Sequence, residues 1–385
     1  MPLASKTLWG SAALLAYSVG GYPLALKALT ALRRDVPAPV STPSVLSADG
    51  ADTPRVAMLL AAHDEETVIA GWVAMARELD WPSDRLELIV VADGCSDRTA
   101  ERAREAGADR VLELARGGKV AALHAAIDAA EDPDVLAFSD ANSIWEPAAL
   151  RRLVTRLAEP AVGYVCGRLE LRDPDGDNQE GLYWRYELAI RELESGLAGI
   201  TAGNGAINAV RASAFPRLDT DRGLDISLPF ELAKRGWSAL SEPGAVAVEP
   251  MATTIADEFG RKRRMLTGSW RTLLSTGMLS PRRYSPLYYA EILSHRLLRY
   301  AAPLLHAVAF TSALALAPRS AVGRLALGTQ LGFLALVLAA GRAGRAGLIS
   351  RYYASVQAAS ALGLWDFLRR GTPRTWSQAG GTRPR

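Results

Sequence analysis

The sequence predicts an α/β protein, a doubly wound and mostly parallel sheet with transmembrane helices on its N- and C-terminal sides, and three observations predict it. Three short apolar runs (VAMLLAA from Val56, LELIVVA from Leu86 and DVLAF from Asp134) read as buried strands, and each opens into a loop carrying an acid. Helical patterns fill the intervals, so the succession is βαβαβ, which calls for crossover connections and parallel strands. Uncharged runs flank this alternation: Thr7–Leu26 has 20 residues, Tyr300–Pro318 has 19 and Leu325–Gly341 has 17. A spanning helix needs about 17–25 residues, so all three are long enough.

Taken in order, residues 1–32 read as a transmembrane anchor, because the apolar run exceeds the roughly 7–15 residues of a signal-peptide core. Residues 33–54 are rich in Pro, Ser and Asp without periodicity and read as a flexible linker. Within a domain over 55–255, the first strand leads to a helix on which Val68, Trp72, Met75 and Leu79 recur at helical spacing. The second leads to a helix capped by Ser96 or Asp97 and ended at Gly107; a short strand, RVLEL, then precedes Gly117-Gly118 and a helix from Lys119. A basic interfacial segment over 256–297 joins this domain to two spans over 298–346. The last uncharged run, Tyr352–Trp365, has 14 residues, which suits an interfacial or re-entrant segment ahead of a basic tail in 347–385.

The net charge of +3 conceals an asymmetry. Twelve of the 44 basic residues but one of the 41 acids lie from Ser294 onward, so an acidic front is joined to a basic, apolar end. That division suits membrane lipid, and no basic stripe interleaved with aromatics suggests nucleic acid. Lys27, Arg33 and Arg34 follow the first span, Arg282, Arg283, Arg296 and Arg299 precede the second, and five Arg close the tail. By the positive-inside rule the domain and the tail face the cytoplasm of a multi-pass membrane protein. Cys95 and Cys166 lie far apart without metal-site spacing and read as buried thiols.

Four acidic landmarks carry the chemistry: Asp64-Glu65 in AAHDEE, Asp93 in VVADGCSD, Asp140 in FSDANS and Asp225 in GLDISLPF. The first three stand at strand ends, where open α/β sheets bind ligands. Asp140 and Asn142 present two oxygen donors suited to Mg²⁺ or Mn²⁺; the competing reading is an Asx-turn in which they satisfy loop backbone. Arg116–Lys119 (RGGK) offers positive charge and backbone donors at a helix N-terminus, although such a pair is as readily a simple loop. Neither GxxxxGK[ST] nor GxGxxG occurs, which excludes P-loop ATPase and nicotinamide readings.

In order and spacing, AAHDEE, VVADGCSDRT, RGGKVAALHAA, FSDANSIWEP, NGAINAVR and DISLPFELAKRGWSALSEPGAVAVE resemble the membrane-associated family 2 glycosyltransferases, inverting enzymes of GT-A fold, over about residues 55–255. The resemblance implies a nucleotide-sugar donor, UDP-linked, and a lipid-linked or polysaccharide acceptor. It places His63 near the base, Glu65 under its loop, Asp93 on the uracil and ribose, Lys119 near the nucleotide, and Asp140 and Asn142 on the metal. Asp225 becomes the general base; Arg261, Arg263 and Arg264 meet the diphosphate, with Trp270 following. Asp219 and Asp221 are its rivals as base.

Four positions depart from the family pattern. Ala92 stands for a second acid, His124 for an Asn and Asn142 for the second Asp of DxD, and Met265 after Arg264 breaks the QxxRW element of processive synthases. Trp184, Tyr183 and Tyr186 read as core or acceptor-channel wall, His295 as an interfacial group and His306 as a contact for a lipid acceptor. Two alternatives remain: a GT-A-like nucleotidyltransferase, which would need a Gly-rich first loop, and a non-catalytic scaffold binding nucleotide sugar.

Overall fold

A computed structural model describes residues 3–33, 53–172, 180–250 and 255–371. The expected linker falls largely outside them, as do Arg374, Arg383 and Arg385 of the tail. One sheet holds eight strands: β1 (Val56–Ala62), β2 (Leu86–Asp93), β3 (Arg110–Leu114), β4 (Val135–Ser139), β5 (Ile144–Trp145), β6 (Val162–Arg172), β7 (Ile207–Arg211) and β8 (Ser238–Pro250), in the order β3-β2-β1-β4-β7-β6-β8-β5. The first four run parallel, as the βαβαβ reading requires, and β6 is parallel to β8. β7 runs antiparallel to both β4 and β6, and β5 antiparallel to β8.

Every residue of β1 is buried because helices cover both faces of the sheet. Val56, Met58, Leu60 and Ala62 pack with Trp72 and Leu153 on one face; Ala57, Leu59 and Ala61 pack with Leu123 and Leu228 on the other. The helix Ile69–Arg77 begins later than its periodicity suggests, because residues 63–68 form the loop that follows β1. The N-cap of Thr99–Glu105 is Arg98 and not Ser96 or Asp97, although Asp97 Oδ1 accepts from the Thr99 amide at 3.0 Å just ahead of the helix.

Among the described residues, three helical runs are long and apolar enough to cross a membrane: Leu3–Leu32, Pro286–Leu316 and Ala321–Leu338. The first packs along the second, where Leu8 meets Ala309 and Ala313 and Thr7 Oγ1 lies 2.8 Å from Ser312 Oγ. Tyr352–Trp365 is the middle of a 27-residue helix, Gly344–Arg370, laid against the helix Ile255–Ser275. A Cβ at Gly363 would stand 3.0 Å from the Thr267 amide nitrogen, so glycine lets the two backbones meet.

A polar clasp ties these helices to the sheet domain. Glu194, on the helix Glu180–Ser195, accepts from Tyr22 Oη at 2.6 Å and lies 2.6 Å from His295 Nδ1. Glu187 faces His295 Nε2 at 3.2 Å and pairs with Arg299. Thr201 Oγ1 donates to Glu194 at 3.1 Å and accepts from Arg296 Nε at 2.8 Å. His306, the expected lipid contact, has a protein partner instead, Tyr353 Oη at 2.8 Å. Tyr186 donates to the Val19 carbonyl and Trp184 to that of Leu169, each at 2.6 Å, while the Tyr183 side chain lies outside the described residues.

Candidate active site

The loops after β1 and β2 are stitched together. His63 Nδ1 lies 2.9 Å from the Asp93 carbonyl; the Ser96 amide donates to Asp64 Oδ1 at 2.7 Å, and the Glu65 amide to Thr99 Oγ1 at 2.7 Å. Glu65 is buried in this loop. His63, Asp64 and Cys95 offer ligand atoms within 4.8 Å of one another, a grouping that sequence spacing conceals because Cys95 comes from the next loop. Its nitrogen and sulfur suit zinc better than Mg²⁺ or Mn²⁺.

Asp93 is buried, and its carboxylate accepts from the Gly117 amide at 2.6 Å and the Gly118 amide at 2.9 Å. Two of the backbone donors expected to handle phosphate are therefore committed to Asp93, which shapes the loop. Gly118 has φ +92°, a conformation that glycine adopts without strain.

Lys119 pairs with Asp140. Neither the Asp140 nor the Asn142 side chain makes a hydrogen bond to loop backbone among the described residues, so the Asx-turn reading lacks its bonds. Gly205 lies against this pair: a Cβ there would stand 3.2 Å from Lys119 Nζ and 3.3 Å from Asp140 Oδ2. Asn204 locks that turn by accepting from the Ala206 and Ile207 amides at 3.0 and 2.9 Å and donating to the Gly167 carbonyl at 2.9 Å.

Asp225 stands in the first turn of the helix Leu224–Lys234, half-buried, and its carbonyl accepts from the Gly203 amide at 2.7 Å. Burial raises its carboxyl above the usual range and Asp140 adds to that, while the opposing Lys119 charge is too weak to reverse it. Its rivals are engaged elsewhere: Asp221 pairs with Arg271, and the exposed Asp219 with Arg222 at 3.0 Å.

The basic segment divides. Arg261 donates to both oxygens of Glu258 at 2.8 Å and lies close enough to Glu249 to influence its charge. Arg263 turns away, forming a two-pronged pair with Asp366 at 2.6 and 2.8 Å. Arg264 is exposed. Trp270 is buried and donates to the Ser360 carbonyl at 3.0 Å, so Arg263 and Trp270 hold two helices together and do not join the pocket.

Sequence reasoning missed Glu249, at the end of β8. Burial and the Asp140 charge push its carboxyl up to about 7. The signal was available, since AVAVE is another apolar run ending in an acid. The Glu249 carboxylate, like the Asp140 carboxylate and the Asn142 amide oxygen, is a hard donor of the type that Mg²⁺ and Mn²⁺ favour.

Residues 58–215 match the family described as Glycosyl transferase family 2. The chain is 31% identical over 224 residues to a beta-monoglucosyldiacylglycerol synthase of Synechocystis, covering 53% of this chain and 44% of that protein. It is 33% identical over 129 residues to the probable glycosyltransferase YdaM of Bacillus subtilis, covering 31% and 30%. The matches thus span less than half the length of either relative. In structure it is similar to the mannosyltransferase PcManGT from Pyrobaculum calidifontis, solved with GDP-Man and Mn²⁺, with a TM-score of 0.69 over 94% of this chain and 99% of that one. At 20% identity this likeness shows a shared fold. Residues 58–215 thus carry the match to a glycosyl transferase family 2 domain, on a GT-A-like α/β fold with a mostly parallel sheet.

Proposed function

We propose that the chain transfers a sugar with inversion from a nucleotide sugar, UDP-linked, to a lipid-linked or polysaccharide acceptor, a lipid acceptor being favoured, at the cytoplasmic face of a membrane. The observation that carries this is the convergence of Lys119, Asp140 and Asp225, which come from separate elements and act on one another's charge. Asp225 takes the proton of the acceptor hydroxyl as that oxygen attacks the anomeric carbon, from the side opposite the leaving nucleoside diphosphate. Lys119 offsets charge on the departing diphosphate, and Arg261 supports it from the facing helix. A bound Mg²⁺ or Mn²⁺ supplies Lewis-acid stabilisation of the same oxygens, held by Asp140 and Asn142. The loop of His63 and Glu65 forms the nucleotide rim with Asp93 beneath it.

The apolar helices and the similarity to a glycolipid synthase support a lipid acceptor. A screen of detergent-purified chain against nucleotide sugars, with and without Mn²⁺, should release nucleoside diphosphate. Release of pyrophosphate instead, or of nothing with any donor, would end this reading. Single cysteines at Ser47, Ser320 and Ser377 report the orientation through an impermeant thiol reagent on intact cells, where only position 320 should label. Labelling at 47 contradicts a cytoplasmic domain.

A further inference from the structure

The geometry points to Glu249, at the end of β8 beside the Asp140–Ser143 turn, as a further oxygen ligand of the divalent cation with Asp140 and Asn142. This rests on the metal-dependent transfer proposed above and names a further residue of that site.

In the β5–β8 pairing Ile144 lies opposite Val248, so Glu249 comes abreast of Ser143, the residue that ends the Asp140–Ser143 turn. Ser143 ties the two together: its hydroxyl donates to Glu249 Oε1, and its amide donates to the Asp140 carbonyl at 3.1 Å. The second carboxylate oxygen, Oε2, makes no hydrogen bond or ion pair among the described residues.

Charge argues the same way. Asp140, Asp225 and Glu249 all lie within the field of Lys119, whose ammonium is paired with Asp140. The nearest other cation acting on Glu249, Arg261, is held on both oxygens of Glu258. The pocket therefore carries an excess of negative charge in a partly desolvated place, which is costly until a cation enters. A diphosphate alone would deepen that excess, whereas a divalent ion relieves it and then receives the diphosphate. Asp140 with the neutral Asn142 contributes one formal charge to such an ion, and Glu249 contributes a second.

The test is Mn²⁺ binding to the full chain in detergent with UDP, read from the loss of the free-Mn²⁺ electron paramagnetic resonance signal. Glu249→Gln should weaken Mn²⁺ binding by about tenfold or more. Glu249→Asp should retain part of the affinity, which covers the case in which the Gln variant misfolds. UDP binding without metal, measured calorimetrically, should not weaken in either. Wild-type Mn²⁺ affinity in Glu249→Gln overturns the assignment and leaves the metal reading standing. Absence of Mn²⁺ binding by the unaltered chain overturns both. Loss of kcat in Glu249→Gln at unchanged Mn²⁺ affinity also overturns it, because the carboxylate would then serve proton transfer.

Discussion

At the juxtamembrane clasp, Glu187 and Glu194 are surrounded by His295, Arg296 and Arg299; at the strand ends, Asp140, Asp225 and Glu249 share chiefly Lys119. Burial alone would raise Glu187 and Glu194 at the clasp and Asp225 and Glu249 at the strand ends. At the clasp, Arg299 beside Glu187 and His295 beside Glu194 overcome that effect, and both acids fall below the usual range. At the strand ends the cations do not suffice, and Asp225 and Glu249 rise. One cluster is satisfied by its own protein and holds helices in place. The other is left short of positive charge, as a site awaiting a cationic ligand would be.

Removing the base should give the largest effect on turnover. Asp225→Asn keeps the shape of the side chain but cannot accept a proton, so kcat should fall about 10²–10⁴-fold with donor binding little changed. If Asp221→Asn shows that pattern instead, the base is misassigned. Because a base works only when deprotonated and Asp225 sits above the ordinary carboxylate value, kcat should decline on acidification at a pH above that value. Lys119→Met removes the charge that lowers Asp225, so this acid limb should move to still higher pH in the residual activity.

The clasp should respond in stability. Glu194→Ala leaves His295 and Arg296 without their shared carboxylate, at a cost of about 3–5 kcal/mol and a lower Tm in detergent. Unchanged Tm with reduced kcat would erase the contrast between the clusters. The depressed pKa values of Glu187 and Glu194 also fix a sign: their stabilisation is present above the unfolded-state value of about 4.3 and is lost as pH falls below it.

The front half of the sheet is readable residue by residue because its acids follow apolar runs, so a buried-strand signal and a loop signal meet at the same place. Asp93 and Asp140 stand out in this way, as does the parallel order of β1, β2 and β4, whereas the roles given to Lys119 and Asp225 rest on the family resemblance. What escaped depends on partners remote in sequence. Arg261 and Arg263 look equivalent in a basic run, yet two residues turn a helix by about 200°, and Asp366 claims the second. Glu249 was hidden because its role needs β8 laid beside β5, a pairing across about a hundred residues. The clasp draws on residues as far apart as Tyr22 and His295, and no local pattern announces it.

Calorimetric titration of UDP into the chain with and without Mn²⁺ tests the central claim most directly, applied to the unaltered chain, Asp140→Asn and Arg263→Ala. The account predicts tight, Mn²⁺-dependent binding that is lost in Asp140→Asn and kept in Arg263→Ala, whose exposed pair with Asp366 contributes at most about 1 kcal/mol to stability. Binding that survives in Asp140→Asn but disappears in Arg263→Ala would place the nucleotide on the helical side of the molecule and contradict the site described.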